Sequence, residues 1–153
     1  MNNHTYSTYD TKLGKIVIAS DGEAITYLKH ESAGNLSCKK EANMLTNLAA
    51  AQLSEYLSGE CKAFDLPLKP QGTDFQNKVW NALLEIPYGE TRSYKQVAEM
   101  TGKPNASRAV GMANNKNPIW IIIPCHRVIG ANGALTGYGG GLEMKQKLLE
   151  IEK

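Results

Sequence analysis

The sequence predicts an α+β chain in two halves: a small N-terminal β-sheet with one covering helix, joined to a mainly helical winged helix-turn-helix domain. Three observations carry that prediction. Short β-branched segments punctuated by an Asp21-Gly22 turn fill the first part of the chain. Two capping boxes, Thr73 with Gln76 and Ser93 with Gln96, open successive helices in the second part. Asn132-Gly133, a strong hairpin turn signal, follows those helices. The predicted division is 1–66 and 67–153.

Taken in order, Thr5–Tyr9, Gly14–Ser20 and Ala24–Lys29 are predicted strands. From about Ser37 to Leu57, Leu45, Leu48, Ala49, Leu53, Tyr56 and Leu57 recur at helical spacing, and Gly59 is placed to end that helix. Phe64–Gly72 holds Pro67, Pro70 and Gly72 and is read as a linker. Phe75, Val79, Trp80, Leu83 and Leu84 form the apolar stripe of the next helix, which Ile86-Pro87-Tyr88-Gly89 stops. A short helix from Ser93 runs through Val97, Ala98 and Met100 to Gly102. After Lys103-Pro104-Asn105, either Asn105 or Ser107 can cap a helix over Arg108 to about Asn114. Two helices around a short turn make a helix-turn-helix pattern. Val128-Ile129 and Leu135-Thr136, across Asn132-Gly133, are the predicted wing, and Leu142 to Glu152 closes the chain as a helix.

The 153 residues carry a formal net charge of +2 and are 42% hydrophobic, the balance of a globular protein. A pI near 8.4 permits a polyanionic partner without requiring one. The N-terminus lacks the apolar core of a signal peptide, and no apolar run approaches membrane-spanning length. Cys38, Cys61 and Cys125 are odd in number and widely spaced, which predicts reduced thiols in the cytoplasm. His4, His30, Cys38 and Cys61 have no metal-ligand spacing, so no metal is expected. The glycines of Gly137-Tyr138-Gly139-Gly140-Gly141 lack dinucleotide-fingerprint spacing and instead predict backbone that something approaches closely.

The stretch of greatest chemical interest is Pro124-Cys125-His126-Arg127-Val128, behind the apolar run Ile119-Trp120-Ile121-Ile122-Ile123. Pro124 should break regular structure there. By itself the dipeptide Cys125-His126 fits either a core thiol or a nucleophile beside its base. Neighbouring side chains diverge by about 100 degrees in a helix and point to opposite faces of a strand. A bridging water would therefore have to carry a proton between the two, and a carboxylate from the last helix could orient the imidazole.

Pro124-Cys125-His126-Arg127-Val128 resembles the active-site signature of the O6-alkylguanine-DNA alkyltransferases, the methylated-DNA–protein-cysteine methyltransferases. The likeness continues through Ile86-Pro87-Tyr88-Gly89, Ser93-Tyr94, Ser107-Arg108-Ala109-Val110-Gly111, Asn117-Pro118 and Gly137-Tyr138-Gly139-Gly140-Gly141. Several blocks in the right order are far more specific than one pentapeptide. The resemblance implies a ribonuclease H-like first half and a monomer needing no cofactor. It also implies single-use repair of double-stranded DNA, in which an alkyl group moves from O6 of an extruded guanine to Cys125.

By the same resemblance, His126 would deprotonate Cys125 through a water, Glu152 would orient His126, and Asn117 would brace the cysteine loop. Tyr94 would protonate the leaving guanine. Arg108 would fill the gap left by the flipped nucleotide, with Ser107, Ala109, Gly111 and Arg127 also on the DNA. Tyr138, Gly139, Val128 and Trp120 would wall the base pocket, where Trp120 either narrows the space or fills core. A winged-helix lesion-binding module without chemistry is the alternative, and Cys125 is the feature that separates the two. A thiol hydrolase is disfavoured, since no oxyanion-hole signature or separate histidine is evident.

Overall fold

A computed structural model describes residues 4–133 and 138–153. The chain forms two compact units, Met1–Pro70 and Gln71–Lys153.

The first unit is built on an antiparallel meander of β1 (Thr5–Thr11), β2 (Gly14–Ser20) and β3 (Ile25–His30). β2 lies between its neighbours, so Ile16 to Ser20 are all buried. Helix α1 (Met44–Leu57) covers the sheet with Ala49, Leu53, Tyr56 and Leu57. It begins later than the apolar spacing predicts. Lys39–Lys40 form a short strand, β4, parallel to β1, and Glu41 N–H donates to Tyr6 O. Those bonds hold the segment extended until Asn43 and Thr46 form a capping box. Leu48, counted on the apolar stripe, is 43% exposed. Gly59 follows the helix with φ 83°, a conformation that suits glycine.

The predicted linker is partly structured. Ile25 donates to Pro67 O and accepts from Lys69 N–H, both at 2.8 Å, so this stretch adds a bridge alongside β3. The first unit therefore runs to Pro70.

In the second unit, α2 (Asp74–Leu84) and α3 (Tyr94–Met100) start at the two predicted capping boxes. α4 (Ser107–Asn115) does not use Asn105 or Ser107 as its cap. Its N-cap is Ala106, with no side-chain hydrogen bond, because the Lys103–Ala106 turn feeds directly into the helix. Trp80 on α2 donates its indole N–H to Ala113 O at 2.9 Å, tying α2 to α4. That indole also occupies the space a Cβ would need at Gly72.

Only the first strand of the predicted wing falls among the described residues. Val128–Ile129 (β6) pair in parallel with Arg92–Ser93 (β5) at the start of α3. Leu135 and Thr136 of the expected hairpin lie outside the described residues. Helix α5 (Leu142–Ile151) ends the unit and packs beside the cysteine turn. Among the described residues, no helix is long and apolar enough to cross a membrane.

Candidate active site

The cysteine is presented by a folded loop. Asn117 is fully buried and bonds both ends of the loop: Oδ1 accepts from Ile119 N–H and Nδ2 donates to Ile123 O, each at 2.9 Å. The chain between them must double back, and Ile122 N–H donates to Trp120 O at 2.7 Å. Ile121 consequently sits at φ 73°, where a β-branched side chain is strained by about 1–3 kcal/mol. Burial of Ile119, Ile121 and Ile123 holds the strained turn in place.

Pro124 ends this loop, and Cys125–Arg127 form one turn of 3-10 helix. Cys125 is 3% exposed, and its carbonyl accepts from Asn114 Nδ2 at 3.4 Å. Glu152 lies 2.7 Å from His126 Nε2. Its carboxylate also accepts from Arg127 Nε at 2.8 Å and Nη2 at 2.9 Å, and from Gly89 N–H at 3.3 Å. Although near the C-terminus, Glu152 is therefore tightly held and only 3% exposed.

Arg127 was expected on the DNA face, and here the structure differs. Its guanidinium is turned inward, to Glu152 and, at 2.6 Å, to Ile86 O. A buried carboxylate shared with a neutral imidazole needs a cation, and Arg127 provides it. The Ile86–Gly89 block completes the clamp, with Tyr88 O–H donating to Ile151 O at 3.0 Å. Sequence patterning showed Ile86–Gly89 only as a helix stop; nothing in it pointed to this contact with the last residues.

Burial lowers the His126 pKa below its ordinary value, although the hydrogen bond and charge of Glu152 pull it up. Arg127 and Lys145 lower it further. The ring is thus neutral near pH 7 and can accept a proton.

Lys145 is the residue that sequence reading missed. It lies on α5, fully buried, and donates to Val128 O at 2.5 Å. Burial lowers its pKa to about 8, while the charge of Cys125 raises it. Its only sequence signal is a helical offset toward the buried face, with Met144 and Leu148 as its neighbours there.

A pH prediction follows from Lys145. Below about pH 8 both folded and unfolded chains carry its proton, and the folded state bears the full burial cost. Between about 8 and 10.5 only the unfolded chain holds the proton, so stability rises with pH. The gain approaches about 3 kcal/mol at most. Denaturant unfolding across that window should show the rise in wild type and a flatter curve in Lys145→Met. Parallel curves would contradict the assignment.

The remaining candidates lie on α3, α4, β6 and the segments around Trp120 and Tyr138. Tyr94 begins α3, half-buried, and a Cβ at Gly111 of α4 would stand 3.8 Å from its ring. Arg108 and Ala109 are exposed on α4, while Ser107 and Gly111 are half-buried. Val128 is fully buried in β6. Trp120 is 4% exposed, with its ring 5.6 Å from that of Tyr138. A Cβ at Gly139 would meet the Trp120 indole at 2.5 Å, so the close approach that the glycines permit there is made by the chain's own tryptophan.

Among the described residues, no group of three or more His, Cys, Asp or Glu side chains is placed to hold a metal. His4 bonds to Thr26, His30 to Ser32 and Cys61 to Ala63 O.

Residues 74–153 match the family described as "6-O-methylguanine DNA methyltransferase, DNA binding domain", and residues 4–70 match its "ribonuclease-like domain". A methylated-DNA–protein-cysteine methyltransferase of Methanosarcina acetivorans is 49% identical over 152 residues, covering 96% of this chain and 97% of that protein. One of Mycobacterium tuberculosis is 48% identical over 152 residues, covering 97% of this chain and 92% of that one. The crystal structure of Mycobacterium tuberculosis OGT in complex with DNA superposes with a TM-score of 0.92 at 49% identity, covering 97% of this chain and 92% of that one. The Pyrococcus kodakaraensis O6-methylguanine-DNA methyltransferase, 21% identical with a TM-score of 0.56, shares the fold and covers 97% of this chain and 98% of that one. With both family domains matched in order and relatives of near-half identity along almost its whole length, the chain belongs to the methylated-DNA–protein-cysteine methyltransferase family.

Proposed function

We propose that this protein repairs alkylated DNA by direct reversal, moving an alkyl group from O6 of guanine in double-stranded DNA to the sulfur of Cys125. O4 of thymine offers similar chemistry as a second position from which the alkyl group is taken. The observation that carries this reading is the buried run of Cys125, His126 and Glu152, with a 2.7 Å His126–Glu152 contact behind the thiol. Glu152 fixes the imidazole through Nε2, so proton exchange with Cys125 runs through Nδ1 and a bridging water. An unperturbed thiol, with pKa about 8.5, is only a few per cent ionised at neutral pH. The neutral His126 supplies the base. Lys145 favours the thiolate, because the attraction that raises its own pKa is mutual.

The atoms balance without a further reactant. The sulfur–carbon bond forms as the carbon–oxygen bond breaks, and guanine leaves after taking one proton, which Tyr94 delivers. The proton first taken from the thiol restores the balance. Asn117 acts indirectly, by holding the strained loop that places Cys125 at its end. Arg108, exposed on α4, is the side chain suited to enter the stack where the nucleotide has left, with Ser107, Ala109 and Gly111 against the backbone. Tyr138, Gly139, Val128 and Trp120 are assigned to the wall of the base pocket. The protein acts as a monomer, and its odd, widely spaced cysteines favour the cytoplasm.

Duplex DNA carrying a labelled alkyl group on guanine O6 tests the reading. Label bound covalently to the protein supports transfer. Label released as a small molecule would mean hydrolysis, and label left on bound DNA would mean a lesion-binding module; either outcome overturns it.

A further inference from the structure

Two buried asparagines bond the segment that carries Cys125, and they differ in how their amides are used. Asn117 spends both polar atoms on backbone, at Ile119 and Ile123. Asn114, in the last turn of α4, is 3% exposed and donates Nδ2 to Cys125 O at 3.4 Å, a long and weak bond. Its Oδ1 is buried and accepts no hydrogen bond from any described residue. A buried acceptor left unpaired is costlier than an apolar side chain of the same shape. Buried polar groups therefore nearly always have a partner, ordered water included. The two polar atoms of an amide lie about 2.3 Å apart, so Asn114 Oδ1 stands within about 6 Å of Cys125 O.

We propose that Asn114 is a positioning residue for alkyl transfer, whose Oδ1 anchors the water that carries the proton from Cys125 to His126. This rests on the direct-reversal reading above and adds to it a third holder of that water. A buried water makes about three hydrogen bonds. Before transfer it accepts from the Cys125 thiol, donates one hydrogen to His126 Nδ1, and has a second hydrogen to place. Glu152 is engaged at Nε2 of the imidazole, and both polar atoms of Asn117 are taken. Asn114 Oδ1 receives the second hydrogen. When the first passes to Nδ1, the thiol proton replaces it on the water, which then donates that hydrogen back to the sulfur anion. The hydrogen on Asn114 stays in place throughout. Holding it there fixes which hydrogen moves and keeps the other aimed at the thiolate, which a hydrogen-bond donor stabilises.

Titration of the thiolate by its ultraviolet absorbance tests this in the full chain, with Cys38→Ser and Cys61→Ser leaving Cys125 as the one thiol. Asn114→Leu keeps the volume and loses the acceptor. The Cys125 pKa should then rise by about one, a roughly tenfold drop in thiolate near neutral pH. Transfer from methylated duplex should fall about tenfold at pH 7 and return toward the wild-type rate as pH rises. The melting midpoint should stay close to wild type, since an apolar group replaces an unpaired acceptor and Cys125 O keeps the Val128 N–H. Asn114→Ala, which adds no bulk, should show the same shift and carries the test if leucine packs badly. His126, Arg127, Glu152 and Lys145, the charged and titratable groups about the thiol, are unchanged in both. A merely structural asparagine would slow transfer equally at every pH; that result, or an unchanged thiol pKa, would overturn the proposal. The titration uses no DNA, so its failure leaves the direct-reversal reading standing, whereas wild-type protein that takes up no label defeats that reading itself.

Discussion

Cys125→Ser is expected to lose alkyl transfer entirely while still binding duplex DNA. The hydroxyl of serine is a far weaker nucleophile than a thiolate at neutral pH, and His126 is too weak a base to ionise it. The substitution is nearly isosteric at a site only 3% exposed, so the surrounding turn and its bonds to Asn114 and Ile123 should persist. Cys38 and Cys61 lie in the first unit, and replacing either with serine should leave transfer intact. Labelled duplex, read by gel for protein-bound label, separates these outcomes. Transfer by Cys125→Ser at the wild-type rate would remove the nucleophile assignment.

Glu152→Ala is expected to cost about 3–5 kcal/mol of stability as well as transfer. The carboxylate is the partner of two buried side chains, and removing it strands both. Arg127 would keep a permanent charge, 90% buried at the side chain, with only Ile86 O left among the bonds described above. His126 would lose the contact that fixes its orientation. Glu152→Gln should be milder, because an amide oxygen still accepts from Gly89 and Arg127 although the charge is gone. Urea unfolding of the full chain, monitored at Trp80 and Trp120, gives the comparison. A Glu152→Ala loss below about 0.5 kcal/mol would put this pair in the class of solvent-screened surface bridges and contradict its structural role.

Both capping boxes of the second unit were legible in the sequence, because Ser/Thr-x-x-Gln specifies its own local hydrogen bonds. The first strands were legible for a related reason, since β-branched residues and an Asp-Gly turn act over short range. Elements defined by distant partners were not. β4 has two lysines and no strand signal; it exists because β1 offers an edge. Val128–Ile129 also pair in parallel with Arg92–Ser93, far upstream, a partner that no local signal announced.

The site divides along the same line. Cys125, His126 and Asn117 stand within one contiguous stretch whose motif the sequence displays. Arg127 stands there too, but the bare motif could not say that it faces inward to Glu152. Lys145 escaped notice because a lysine on an amphipathic helix is ordinarily a solvated one; only its burial beside Val128 marks it. Apolar Ile119–Ile123 read only as an apolar run ahead of the cysteine, and its folding into a strained loop depends on the two bonds from Asn117.

On the proposed mechanism, one thiol accepts one alkyl group and is consumed. The product thioether has no ionisable proton and is a poor leaving group, and Cys38 and Cys61 belong to the other unit. Intact-protein mass measurement after exposure to excess methylated duplex, followed by peptide mapping, tests this most directly. A plateau at a single added methyl group per chain, located on Cys125, is expected, with no further demethylation of DNA afterwards. Continued turnover beyond one equivalent, or a methyl group mapped to any other residue, would contradict it.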